Sequence, residues 1–467
     1  MIFSTLYLPL THHKKYFRNL WLIGLLLIHQ QCSESTATEI DPNTSTTTGV
    51  TAEDTEPQET NLPNILFILA DDLGVDAMPG YDLGAKKPSM PTIERLANQG
   101  VRFTKAWSNP VCSPTRASIL TGKYGHQTRV LGVEQSNDIN PNERIIQRAF
   151  NDQSNGSYST SIIGKWHVSA GDNYDLPEAM GVDYYAGLFN GGVNDYSRWR
   201  FTVNGSSSIQ NSYITSVLTD LAIEWIVAQN QPWFCWLAYT APHTPFHLPP
   251  QALHYQGELP SDEASIAANQ LPYYFAMIES LDTEIGRLLD GFTTSQLQNT
   301  LIVFMGDNGT PNSVAQPPYT ASKAKGTLYE GGVHVPLIVS GYGVLRQGEE
   351  EDALVSTVDL YNTLLEAAGL TLEEALDSKS FWPLMTSEED PIRTINYTEV
   401  LSNRANRSGY ALTDGRFKWI VFDNGNEQFF DLENDAGETI NLLNNTLSET
   451  AENALKTLQA KAAQIRQ

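Results

Sequence analysis

From Asn61 onward the chain alternates apolar runs of strand length with stretches of helical spacing. After its first residue, Asn64–Ala70 (NILFILA) is apolar without a break, the pattern of a strand buried on both faces. Pro232–Tyr239 (PWFCWLAY), Thr300–Met305 (TLIVFM) and Val335–Ser340 repeat that texture. Between them, Pro91–Asn98, Tyr213–Ala228, Tyr273–Leu289 and Thr357–Ala368 carry apolar residues at helical intervals. This alternation predicts an α/β fold with a large, mostly parallel sheet flanked by helices on both faces. Beyond Asp377 short strands (Gly409–Thr413, Phe417–Phe422, Gln428–Asp431) follow turn residues, and a polar helix runs from about Ser448 to the end. That region reads as a smaller C-terminal α+β subdomain, residues 377–467, with a short antiparallel sheet, packed on a catalytic domain of residues 61–376.

The first 60 residues have a different pattern. Lys14, Lys15 and Arg18 precede an apolar run from Leu20 to Ile28, too short for a confident membrane span, so residues 1–31 read as an export signal. Cys32 follows, as in a lipoprotein, although His29-Gln30-Gln31 is a poor match to the small residues expected before a lipidated cysteine. Residues 32–60 are Ser/Thr-rich, with seven acids and no Lys or Arg, and read as a solvated tether. The expected location is outside the cytoplasm: periplasmic, cell-surface or secreted, with membrane contact only through a lipid anchor at Cys32.

Composition narrows the function. The chain has 467 residues, 41% of them hydrophobic, so a sizeable core is available. A net charge of -25 repels polyanions at long range and argues against coating nucleic acid. Three cysteines (Cys32, Cys112, Cys235) cannot build a disulfide scaffold. Cys235 lies in an apolar strand and reads as buried and inert.

Four apolar strands run into polar residues. Asn64–Ala70 leads into Asp71-Asp72, Thr300–Met305 into Asp307-Asn308, Tyr158–Ile163 into Lys165-Trp166-His167, and the 232–240 strand into His243. In open parallel sheets, ligands bind beyond the carboxyl ends of the strands, so these points can converge. Any one alone would be an ordinary turn. Asp71, Asp72, Asp307 and Asn308 offer only oxygen, which suits Ca²⁺ or Mg²⁺ better than zinc. At Cys112-Ser113-Pro114-Thr115-Arg116 the proline fits a first helical turn, which places Cys112 at a helix amino end. An ordinary buried cysteine and a reactive thiol with its pKa lowered by Arg116 both stay open there. Glu349–Asp352 reads as an acidic, solvated loop.

Taken together, the segments CSPTRASILTG, NILFILADDLG, IIGKWH, APHTPFH, FMGDNG and KGTLYEGG resemble, in order, the sequence blocks of the sulfatase family, over most of residues 62–370 and more loosely at 429–442. Thr115 stands where Ser is commoner, and His334 where Arg is common. The resemblance implies an alkaline-phosphatase-like fold and an enzyme that hydrolyses sulfate esters. It implies that a maturation enzyme converts Cys112 to formylglycine (3-oxoalanine), whose hydrate is the nucleophile. It further implies that Asp71, Asp72, Asp307, Asn308 and residue 112 hold one Ca²⁺ or Mg²⁺. Arg116 and Lys165 would hold the diol and sulfate oxygens, His167 would act as base, and His243 or Lys325 would protonate the departing alcohol. Lys323 competes with Lys325 for that role; His126 and His247 are weaker candidates for substrate contact. Acidity and export fit a sulfated polysaccharide or oligosaccharide as substrate. Two other readings use the same residues: a phosphodiester or phosphonate monoester hydrolase, and a non-catalytic glycan-binding relative. Two-metal phosphatases of the superfamily tend to have Asp-His where this chain has Asp307-Asn308, which favours sulfate. The rim that selects the sugar is expected in loops 171–211 and in the C-terminal part.

Overall fold

The computed structural model describes residues 62–133, 138–374, 376–387 and 393–467. The export signal, Cys32 and the tether lie outside the described residues. The centre is a ten-stranded sheet. From edge to edge its strands are Glu349–Glu351, Gly100–Phe103, Leu337–Gly341, Thr300–Gly306, Asn64–Ala70, Trp233–Ala238, Ser159–Gly164, Tyr184–Gly187, Trp199–Val203 and Ser206–Gln210. The five from Thr300 to Gly187 in that order are mutually parallel, as the unbroken apolar runs require. Antiparallel pairing is confined to Leu337–Gly341 and to the Trp199–Gln210 hairpin.

Successive side chains of a strand point to opposite faces, and the Asn64 strand shows the result. Ile65, Phe67 and Leu69 enter one core, with Ile119, Phe150 and Leu364. Leu66, Ile68 and Ala70 enter another, with Leu218, Met277 and Leu281. Helices Cys112–Thr121, Ile146–Gln153 and Leu360–Ala367 therefore cover one face. Helices Pro91–Asn98, Ile214–Val227 and Leu271–Asp290 cover the other. A second, antiparallel sheet of four strands follows: Asn396–Val400, Gly409–Thr413, Phe417–Phe422 and Glu427–Asp431. The closing helix Glu449–Ile465, capped at its start by Ser448, buries Ala451, Leu458 and Ala462 in the core that this sheet shares with Tyr124 and Val358.

Two expectations need correction. Glu349–Glu351 is not a solvated loop but the edge strand of the main sheet, paired with Gly100–Phe103. Main-chain pairing is indifferent to the side chains at an edge. Here Arg346 bonds Glu349 at 2.8 Å and Glu351 at 2.6 Å, and Arg102 bonds Glu350. Segment 171–211 is likewise not all loop, because Tyr184–Gly187, Trp199–Val203 and Ser206–Gln210 extend the sheet.

Candidate active site

The register of the parallel strands brings the polar endings together. Ala70 pairs with Gly306, and Asp307 N–H donates to Ala70 O at 2.9 Å. Gly164 pairs with Ala238, and Lys165 N–H donates to Ala238 O at 2.9 Å. Asp71 N–H donates to Ala241 O, two residues before His243. Asp72 and His167 both adopt the left-handed backbone region, at φ 72° and 53°. Such strain in non-glycine residues is tolerated where the surroundings over-determine it, and it clusters at functional sites. Asp72 is held from both sides: its N–H donates to Asp307 Oδ1 at 3.0 Å, and Tyr274 OH donates to its carbonyl at 2.8 Å.

Cys112 opens a helix whose ten residues are all buried. The Thr115 hydroxyl accepts from Asn109 N–H at 3.0 Å and ties the approach segment to the first turn, so threonine performs this anchoring where serine is commoner. The Cys112 thiol lies 3.2 Å from His167 Nδ1. Burial pushes the thiol pKa up, with Lys165 opposing. Burial, with Lys165 and Arg116 nearby, holds His167 well below the usual imidazole range, so the ring is neutral and able to accept a proton.

Three cations face three carboxylates. Arg116 donates to Asp307 Oδ2 at 2.8 Å and to Lys165 O at 2.7 Å. Lys165 reaches Asp71 Oδ2 at 2.6 Å, and Lys325 lies 2.5 Å from Asp72 Oδ1. Burial works against the charged form of Asp71, yet Lys165 and the other cations outweigh it and hold the carboxyl below its ordinary range. Burial and then Asp71 push Asp307 up to about 7 against the pull of Arg116. His243 Nδ1 lies 2.6 Å from Thr244 O and must donate there, which leaves Nε2, 3.8 Å from Asp72 Oδ2, free to exchange a proton.

The donor atoms lie close enough together to share a cation. Ligand atoms of Asp71, Cys112 and Asp307 lie within 4.8 Å of one another, as do those of Asp71, Asp72 and His243. Asp71 Oδ1 and Asn308 Oδ1 are buried without a partner, while the Asn308 amide nitrogen is spent on Asp72 Oδ1 and Gly309 O. Unpartnered buried oxygens beside two further carboxylates fit one hard divalent cation. Arg116 Nε is also buried without a partner, a donor left over for an anion.

All ten residues singled out from the strand endings, the cysteine segment and KGTLYEGG thus fall in one cluster. The competition between the two lysines is resolved: Lys323 donates to the carbonyls of Gly437 and Glu438, away from the cluster. His126 pairs with Glu399 instead, and His247 stacks on Tyr196 with ring centroids 4.1 Å apart. Cys235 is fully buried, and burial raises its pKa to about 12. Sequence reading missed Tyr274, Tyr196 and the pair Gly191-Gly192. A Cβ at Gly191 would stand 2.3 Å from His167 Nε2, and one at Gly192 3.4 Å from His243 Cε1. Adjacent glycines soon after a strand were the available signal. Tyr196 OH reaches the His243 carbonyl at 2.5 Å and so fixes that histidine's backbone.

Comparison with known proteins gives a consistent result. The Sulfatase family model matches residues 63–370, and that of the N-sulphoglucosamine sulphohydrolase C-terminal region matches residues 323–466. A sulfatase of Formosa agariphila is 27% identical over 86% of this chain and 87% of its own. A choline-sulfatase of Rhizobium meliloti is 27% identical over 83% of each. Among solved structures, Ps i-CgsB in complex with k-i-k-neocarrahexaose superposes with a TM-score of 0.73 at 28% identity, over 86% of this chain and 92% of that one.

Proposed function

The chain belongs to the sulfatase family and is a sulfuric ester hydrolase, and from that premise we propose that it desulfates a sulfated polysaccharide or oligosaccharide using a formylglycine made from Cys112 and one divalent metal. The observation that carries this reading is the placement of Cys112. Its Sγ lies 3.2 Å from a neutral imidazole, at the head of a buried helix, inside a ring of three carboxylates and three cations. The hydrated aldehyde supplies a nucleophilic oxygen together with a second hydroxyl through which sulfate can be released. Asp71, Asp72, Asp307 and Asn308 would hold the metal, which supplies Lewis acidity; the all-oxygen set supports Ca²⁺, with Mg²⁺ as the alternative.

The chain's own residues perform the rest. Arg116 and Lys165, both buried, bind sulfate oxygens and offset their charge where such contacts are strong. His167 accepts a proton at Nδ1, the atom that faces residue 112. His243 Nε2 or Lys325 Nζ gives a proton to the departing alcohol. Gly191 and Gly192 let the wall of the site close over both histidines without steric conflict.

A sugar substrate is supported by the hexasaccharide bound to Ps i-CgsB. Export and maturation by a formylglycine-generating enzyme complete the proposal, with residues 1–31 as the signal and Cys32 as a lipid anchor. Mass spectrometry of the Cys112 peptide, alongside turnover of an aryl sulfate and an aryl phosphate diester, tests it. Unconverted Cys112 in active protein, or a large preference for the phosphorus ester, would sink it. Cys112 left unconverted in protein from its native host, with no turnover at all, would favour a glycan-binding role.

A further inference from the structure

A second cleft lies on the same side of the sheet as the candidate active site. Helix Leu271–Asp290 precedes the Thr300 strand, so its first turn stands at the carboxyl ends of the parallel strands. Its Tyr274 bonds Asp72 O, and the next residue, Phe275, lines a cleft of about 430 Å³ with Leu271, Pro272, Asn269, Gln256 and Lys86. That volume is within the roughly 300–1,000 Å³ of small-molecule sites.

The cleft is built, not incidental. Buried Glu279, on the helix that forms its floor, accepts from Ser89 N–H at 3.0 Å, Tyr255 N–H at 2.7 Å and the Gln256 amide at 2.7 Å. One carboxylate therefore ties both walls together, and its charge is satisfied internally. Buried Gln316 clamps the backbone of Lys86 from both directions, accepting from its N–H at 3.0 Å and donating to its carbonyl at 2.9 Å. Gln316 N–H is itself fixed by buried Asp76 at 2.8 Å. Lys87 is spent on the carbonyls of Val75, Asp76 and Leu83. Lys86 alone remains, an exposed ammonium with no partner among the described residues, presented by a rigid backbone. Tyr255, beside Gln256 in the chain, leaves 62% of its surface uncovered.

We infer that this cleft binds a second, anionic sugar unit of the same substrate chain, at a distance from the ester being cut. An apolar floor with side-chain amides suits a pyranose, and one cation on a clamped backbone selects a unit bearing sulfate or carboxylate. In a protein this acidic, such a cation is a local exception that a polyanion can find. The inference rests on the sulfated-saccharide reading above and adds a requirement for length: a chain spanning both sites is recognised better than a single sulfated unit.

The test uses full-length mature enzyme, Lys86→Glu and the conservative Lys86→Arg, with a carrageenan-derived hexasaccharide and 4-methylumbelliferyl sulfate as substrates. Lys86→Glu should raise KM for the hexasaccharide by roughly tenfold, the effect of losing one charge-assisted hydrogen bond, at nearly constant kcat. Lys86→Arg should restore it, and aryl sulfate turnover should be unaffected in both. An unchanged hexasaccharide KM, or equal losses on both substrates, overturns the proposal. Calorimetric binding of the hexasaccharide to Cys112→Ala, with and without Lys86→Glu, separates the cleft from the chemistry. Lys86-dependent binding with no turnover by the parent enzyme leaves the cleft standing and removes the sulfatase reading of the substrate. No binding, or equal binding by the two variants, removes the cleft.

Discussion

His167 presents Nδ1 to Cys112 Sγ at 3.2 Å from a backbone in the left-handed region. The orientation of this base is therefore set by the main chain as well as by packing. Asparagine tolerates that conformation and lacks the imidazole, so His167→Asn separates the two contributions. It should lower kcat for an aryl sulfate by about 10²–10⁴-fold, the usual weight of a positioned base, with little change in thermal midpoint. A kcat within fivefold of the parent would remove His167 from the chemistry.

The glycine pair over the histidines gives a graded test. Gly191→Ala puts a methyl 2.3 Å from His167 Nε2, so the ring must move; Gly192→Ala meets His243 at an ordinary 3.4 Å. The first should cost at least about tenfold in kcat, since a misplacement of about 1 Å at a reacting group can cost about 10²-fold, and the second should cost little. Steady-state kinetics of the two variants would show the order, and the reverse order would refute the wall as drawn.

Metal binding should appear in stability as well as in rate. A ligand that binds only the folded state at about 100 times its dissociation constant adds about 2.7 kcal/mol. Chelated protein should therefore melt earlier than Ca²⁺-loaded protein, and Asp71→Asn should blunt the difference, because Asp71 belongs to both candidate ligand groups. Calorimetry with Ca²⁺ and Mg²⁺ in turn also ranks the two ions. No midpoint shift with either ion would count against the site.

Away from the site, His126 provides a pH signature. Its hydrogen bond to Glu399, at 3.0 Å, raises its pKa against the cost of burial, with Asp377 adding to and Arg466 opposing the shift. A pKa raised on folding contributes stability fully below the unfolded value near 6.5, and that contribution is lost as pH rises through the folded value. His126→Phe, which keeps an aromatic ring beside Tyr124 and Tyr397, should cost more stability at pH 6 than at pH 9 in urea titrations. A cost that grows with pH would contradict the pairing.

Much of this architecture is legible in the sequence, for identifiable reasons. A strand such as Ile65–Ala70, buried on both faces, has to be apolar throughout, and the Asp71-Asp72 that follows is conspicuous because nothing in a core calls for it. The Glu349–Glu351 edge strand was illegible because its only determinant is main-chain pairing with Gly100–Phe103. The role of Tyr274 was hidden in a helix whose apolar spacing explains an aromatic residue there without invoking its hydroxyl. Lys323 and Lys325 could be ranked only by resemblance. What separates them is a contact with Gly437 and Glu438, more than 110 residues away in the chain.

The pairing of Ala70 with Gly306 and of Gly164 with Ala238 has a consequence for how such a protein can change. A slip of two residues along either strand would carry a ligand or a lysine about 6.6 Å out of place, while a slip of one would turn it into the core. The reactive geometry is thus stored in the alignment of buried strands, which mutation on the outside does not reach. The segments proposed to meet the substrate's outer parts, 84–90 and 254–262, hang from that frame by a few side-chain anchors: Gln316, Lys87 and Glu279. They can be rewritten for a new polymer while the sulfate-cleaving centre stays where it is.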